Sequence, residues 1–164
     1  MEISKELQEA INDQINFELY SGYIYLSMAA YFESKNLSGM AHWMKIQAGE
    51  EYAHAMRFWE HVTDRGGRVI LTDIKGPATE WDSARAAWEN AYEHEKIVTE
   101  RIFKIGELAK KLGDKSAIPL LNWFYEEQVE EEEQTKRVAD LLKQIGDQKG
   151  ALFMLDARLG QREK

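Results

Sequence analysis

Four long stretches of this chain repeat apolar residues every three to four positions, and proline is kept out of all their interiors. Side chains at i, i+3, i+4 and i+7 share one helix face, so such a pattern commits the chain to helices that bury their stripes against one another. The first stretch runs from Lys5 to about Ser34, with Ser4 as N-cap, along Leu7, Ile11, Ile15, Glu18, Gly22, Tyr25, Ala29 and Phe32. Lys35-Asn36-Leu37-Ser38-Gly39 breaks it, Ser38 is placed to cap a second helix, and Gly66-Gly67 ends that helix. So short a break makes the first two helices antiparallel neighbours. Residues 66–81 carry no helical pattern, with Arg68-Val69-Ile70-Leu71 able to extend and Gly76-Pro77 as punctuation. At about 3.3 Å per residue they reach roughly 50 Å, enough to run the length of a helix and restart at its far end. A crossover is therefore expected.

Asp82-Ser83 caps a third helix to about Leu112, along Trp88, Ala91, Glu95, Val98, Ile102, Ile105, Ala109 and Leu112. Gly113 ends it, Asp114 is placed to cap a fourth, and Pro119 falls in the first turn where proline is tolerated. The fourth runs to Ile145 along Leu121, Phe124, Gln128, Glu131, Thr135, Val138 and Leu142. After Gly146, Ala151 to Leu159 makes a short helix, amphipathic through Leu152, Leu155 and Leu159. The expected architecture is all-α: a four-helix bundle over 5–145, one long crossover between helices two and three, and a short C-terminal helix at about 150–160. A hydrophobic content of 44% supplies one core, so 1–164 is expected to be a single domain.

Each stripe turns polar near its middle. Glu18 lies about 20 Å into helix one, Glu51 about 18 Å into helix two, Glu95 about 18 Å into helix three and Gln128 about 20 Å into helix four. His54 follows Glu51 by one turn on the same face. In helices roughly 40 Å long these residues meet in one mid-height layer. Buried together without a counter-charge, the three carboxylates repel and stay unpaired, at a cost of several kcal/mol. A pair of divalent metal ions removes that cost. Oxygen-rich ligation with a single imidazole suits iron or manganese better than structural zinc or copper. Di-metal carboxylate bundles use one Glu from each of two helices and Glu-x-x-His from the other two. Glu18 and Glu95 are the single acids here and Glu51-x-x-His54 is one motif, while Glu127-Gln128-Val129-Glu130-Glu131 stands where the second motif belongs.

Other classes are narrowed by composition. There is no cysteine, which removes disulfides, thiolate metal sites and thiol nucleophiles. A net charge of −8 disfavours nucleic acid and anionic membranes as partners and suits a protein that gathers cations. The start, Met1-Glu2-Ile3-Ser4-Lys5-Glu6, lacks signal-peptide character, no apolar run is long enough to span a bilayer, and a cytoplasmic location is expected.

Asn16-Phe17-Glu18-Leu19-Tyr20-Ser21 to Tyr25, Glu50-Glu51-x-x-His54, Tyr92-x-His94-Glu95, Glu127-Gln128-x-Glu130-Glu131-Glu132 and the short fifth helix, in this order, resemble the ferritin family, and most closely its bacterial non-haem branch. The resemblance covers essentially the whole chain. It implies a ferroxidase centre with Glu18 and His54 at one iron, Glu51 bridging, and Glu95 at the second iron with Gln128 beside it. It further implies a third iron position from Glu50, Glu127, Glu130 and Glu131, and a hollow homo-oligomer of 24 subunits. The bacterioferritin relatives place Met after the bridging Glu to bind haem; Tyr52 stands there instead, so no haem is expected.

The expected function is iron storage and detoxification: Fe(II) is oxidised by O2 or H2O2 and a ferric mineral is laid down inside the cage. A di-iron oxidase or peroxidase without storage, and a purely structural bundle, are the alternatives. Tyr25, one heptad after Glu18, either donates a hydrogen bond or electrons near the metals or packs as core. Trp123 has a redox suggestion from the family and a reading as core or interface. His42, His61 and His94 read as structural or surface residues, and Glu126, Glu132 and Glu133 as solvated acids.

Overall fold

Ser4, in extended conformation, accepts the Leu7 N–H through its Oγ at 3.3 Å and starts α1, Lys5–Ser34. The computed structural model describes residues 1–163, and the further elements are α2 (Ser38–Asp64), α3 (Ala84–Lys111), a single 3-10 turn (Lys115–Ala117), α4 (Ile118–Ile145) and α5 (Lys149–Leu159). No strand occurs among the described residues, and none of their helices is long and apolar enough to cross a membrane.

Three helices close in the same way. Leu37 N–H reaches back to Phe32 O, Gly67 to Val62 O and Asp114 to Ala109 O, each at 2.9 Å. Each six-to-one bond needs a left-handed residue just before its donor. Gly66 and Gly113 supply it without steric cost, and Asn36 (φ 57°) supplies it after α1.

Two expected caps are used differently. Ser38 lies inside the first turn of α2, after Leu37, which offers no capping side chain. The first turn is instead closed from α5, whose Asp156 carboxylate accepts from Gly39 N–H at 3.1 Å and Met40 N–H at 2.8 Å. Asp114 makes no cap bond, because its carboxylate pairs with Arg65 at 2.7 Å and ties the α3–α4 turn to the end of α2. The fourth helix therefore begins through the 3-10 turn, with Pro119 in its first turn as expected.

Residues 65–83 run along α1 from its start to its end. Arg68 N–H bonds Gln8 Oε1 at 2.9 Å, Asn12 holds Arg68 O and Ile70 N–H, Asn16 holds Ile70 O and Thr72 N–H, and Ser27 Oγ donates to Ala78 O. The match is metric: four helical residues advance about 6.0 Å and two extended residues about 6.6 Å. Side chains at every fourth position of α1 thus meet backbone groups at every second position of the link. Trp81 then packs edge-on against Tyr31 and α3 begins beside the end of α1. The crossover makes α2 and α3 parallel, and α1/α2 and α3/α4 antiparallel pairs, in a four-helix bundle with α5 laid across the start of α2.

The core is split. One apolar cluster gathers Met28, Phe32, Met40, Met44, Trp88 and Leu142 toward the α5 end. The other gathers Leu7, Ile11, Phe58, Val62, Ile102 and Phe124 toward the opposite end. Between them lies a polar layer.

Candidate metal centre

That layer is built by all four long helices: Glu18 on α1, Glu51 and His54 on α2, Glu95 on α3, and Glu127, Gln128 and Glu131 on α4. All are buried except Glu127, which is partly open. Their ligand atoms form three overlapping triads, each within 4.8 Å: Glu18, Glu51 and His54; Glu51, Glu95 and Glu131; His54, Glu127 and Glu131. Glu51 is common to the first two, so its carboxylate stands between two places where a cation could sit. Gly22 lets the helices close here, since a Cβ at that position meets Ala48 O at 3.3 Å and Glu51 Cβ at 3.5 Å.

The charges are unbalanced without a cation. Burial and the Glu51 charge push the Glu18 carboxyl up to about 8. Burial raises Glu95 and Glu131 well above the usual carboxylate range, helped in both by neighbouring carboxylates. Burial also works to raise Glu51, but His54 and Gln47 outweigh it and hold this carboxyl below its ordinary value. His54 lies between Glu51 Oε2 and Glu127 Oε1, 3.4 Å from each; burial disfavours its charge, yet these acids push it up to about 12. Among the described residues, Glu18 Oε2 and Glu51 Oε2 are buried oxygens with no hydrogen-bond partner, and the second has only the 3.4 Å ion pair with His54. Buried carboxylate oxygens converging beside an imidazole, short of hydrogen-bond donors, suit divalent cations, so the residues present fit a metal pair.

The remaining residues of interest take varied places. Gln128 turns its Nε2 to Glu95, 3.2 Å from Oε2 and 3.3 Å from the backbone O, so it orients that acid. Tyr25 is fully buried and its hydroxyl donates to Glu95 Oε1. Glu50 is drawn into an ion pair with Arg162 at 2.6 Å, and exposed Glu130 accepts from Gln134 at 2.6 Å; neither joins a triad. Of the residues implied for a third position, Glu127 and Glu131 fall in one triad with His54, and Glu50 and Glu130 fall in none. Trp123 packs edge-on to His54 and carries the Arg57 guanidinium 3.8 Å over its ring. His94 is buried, 2.7 Å from Ser21 Oγ and stacked on Phe17, and burial brings its pKa down to about 4. His42 bonds Arg162 O, and His61 accepts from Arg65.

Two further buried residues belong to the layer beyond those the motifs single out. Gln14 and Gln47 each sit four residues before a carboxylate, Glu18 and Glu51, and donate to it. The i to i+4 spacing was the available signal.

Comparison with known proteins agrees with this layout. The sequence model of the ferritin-like domain matches residues 8–145. The chain belongs to the ferritin family. Within it, this family member is 39% identical over 160 residues to the bacterial non-heme ferritin of Bacteroides fragilis strain 638R, covering 98% of this chain and 99% of that one. It is 36% identical over 160 residues to that of Staphylococcus saprophyticus, covering 98% and 96%. Among solved structures, an open pore ferritin from the archaeon Archaeoglobus fulgidus superposes with a TM-score of 0.97 at 46% identity, over 98% of this chain and 99% of that chain. A humanized archaeal ferritin gives 0.98 at 46%, over 99% of both. The ferritin bundle with its short C-terminal helix is thus the fold.

Proposed function

We propose that this chain is a ferroxidase that stores and detoxifies iron, with Fe(II) as substrate and a ferric mineral as product. The observation that carries the reading is the set of buried carboxylate triads around Glu51, with Glu18 Oε2 left without a partner, together with membership of the ferritin family. Glu18 and His54 hold one Fe(II), Glu95 and Glu131 the other, and Glu51 bridges, with Gln128 orienting Glu95. Each Fe(II) gives one electron to O2 or H2O2, and carboxylate oxygens favour the harder Fe(III). Loading exchanges protons for metal, because His54 and the raised carboxyls bind protons when no cation is present. Tyr25 holds Glu95 through its hydroxyl while this happens. Ferric product leaves past Glu127, the partly open acid of the layer, into the interior of a multi-subunit cage, 24 subunits by family resemblance.

The test is aerobic Fe(II) loading followed by size and iron content. Tens or more irons retained per chain in a cage support storage. Turnover with two retained points to an oxidase without storage, and no uptake overturns both. Glu51→Ala is expected to abolish rapid oxidation with the helical fold intact; unchanged oxidation overturns the assignment of Glu51.

A further inference from the structure

Two buried glutamines stand in the same relation to the centre, each with an arginine behind it. On α1, Gln14 Nε2 donates to Glu18 Oε1 at 2.8 Å while its Oε1 accepts from Arg101 Nε at 3.0 Å. On α2, Gln47 Nε2 donates to Glu51 Oε1 at 2.9 Å and Glu131 Oε2 at 2.8 Å, while its Oε1 accepts from Arg162 Nη1 at 3.0 Å. Each arginine is itself fixed twice over. Arg101 lies 4.0 Å over the Phe17 ring and pairs with Asp13 at 2.6 Å; Arg162 lies 4.1 Å over the Trp43 ring and pairs with Glu50 at 2.6 Å. The two arginines come from unrelated parts of the chain, α3 and the residues after α5.

We infer that Arg101 and Arg162 are positioning residues of the metal centre, acting through Gln14 and Gln47 to aim the carboxylates of Glu18 and Glu51. This rests on the centre proposed above. An amide can face a neighbour with oxygen or nitrogen, and a flip exchanges them. Guanidinium has donors only and carboxylate has acceptors only, so an amide between them has one orientation. The arginine removes the flip, and the fixed N–H then holds one oxygen of the acid. The oxygens held are Oε1 of Glu18 and Oε1 of Glu51; Oε2 of Glu18 has no partner, and Oε2 of Glu51 has only the His54 ring at 3.4 Å. Each acid is thereby pinned by one oxygen, and the other lies outside the glutamine's hold. Because Gln47 also holds Glu131, the arginine after α5 sets acids on two helices at once.

The experiment is anaerobic Co(II) titration of the full-length protein, followed by the ligand-field absorbance of the bound ion. Arg162→Met, Gln47→Leu and the double variant form one cycle; Arg101→Met, Gln14→Leu and their double form an independent second. Each single change is expected to weaken Co(II) binding about ten- to a hundredfold, as loss of groups that orient ligands does. Each double is expected to be no weaker than its glutamine variant alone, since an arginine acting through the amide has nothing left to act on. Arg162→Lys, which keeps the charge and a donor, is expected to recover part of the affinity. Exposed Arg85→Ala is the control and leaves affinity unchanged. Circular dichroism verifies the fold of every variant. Native affinity in the single variants, or an arginine effect that persists undiminished in the leucine backgrounds, overturns the inference while leaving the centre standing. Absence of Co(II) binding by the wild type overturns both.

Discussion

The Asp156 carboxylate on α5 accepts the Met40 N–H at 2.8 Å and thereby closes the first turn of a helix more than a hundred residues earlier in the chain. The same acid takes Gly39 N–H, so two donors that a local Ser, Thr or Asp commonly satisfies are satisfied by tertiary contact. Asp156→Ala is expected to cost about 1 kcal/mol, the usual value of an N-cap, and to lower the midpoint of thermal unfolding by about 2–4 °C. Asp156→Asn keeps an acceptor and loses less. A calorimetric midpoint equal to wild type for the alanine variant refutes the cap.

Gly39 and Gly106 offer a paired comparison. A Cβ at Gly39 falls 1.7 Å from Asp156 O, and at Gly106 2.0 Å from the Tyr125 hydroxyl. The obstacle in the first case is backbone of a packed helix, in the second the far end of one side chain. Gly39→Ala is therefore expected to displace α5, seen as faster proteolysis at 149–159, whereas Gly106→Ala only swings Tyr125 aside. Equal protease resistance in the two variants contradicts this.

Glu18 sets a pH dependence. Its pKa is raised by burial, with help from Glu51, from 4.5 to about 8, so between these values the folded state binds more protons than the unfolded. Stability from this group is full below about pH 4.5 and is lost as pH rises through 8; at pH 7 the loss is on the order of 3 kcal/mol. Glu18→Gln keeps the shape and removes the titration. With metal chelated, the unfolding midpoint of the wild type is expected to fall more steeply between pH 5.5 and 8 than that of the variant. Parallel curves would count against the raised pKa.

The link along α1 gives a local prediction. Asn12 bonds both Arg68 O and Ile70 N–H, so Asn12→Ala removes two side-chain contacts from one segment. Amide exchange at Ile70 is expected to accelerate strongly while that of α2 and α3 stays slow. Retained protection at Ile70 refutes the pairing.

Helix extents, the crossover and the height of the polar layer were legible in the sequence because each follows from periodicity and rise per residue. The caps of α2 and α4 were not. Ser38 and Asp114 are good cap residues locally, and only the docking of α5 and of Arg65 decides that the first turn is served by Asp156 and that Asp114 is taken elsewhere. Glu131 shares a stripe with Gln128, and the resemblance places it only at the third iron position, yet it reaches two triads while the Gln128 amide turns to Glu95. Periodicity assigns both to one face and says nothing of which side chain reaches farther. Gln14 and Gln47 were hidden for a related reason: their meaning depends on Arg101 and Arg162, far away in sequence.

The side-chain ladder on α1 also works as a vernier between two length scales. Its rungs at Gln8, Asn12 and Asn16 agree with Arg68, Ile70 and Thr72 because four steps of helix nearly equal two steps of extended chain. One residue inserted between Asn12 and Asn16 turns the later rung about 100° around the helix and strands the link below it. One residue inserted at Lys75-Gly76 leaves the Gln8, Asn12 and Asn16 rungs in register and shifts only the later bond of Ser27 to Ala78 O. The first insertion breaks the register and the second keeps it over these three rungs, so α1 is the ruler to which the first half of the crossover is cut.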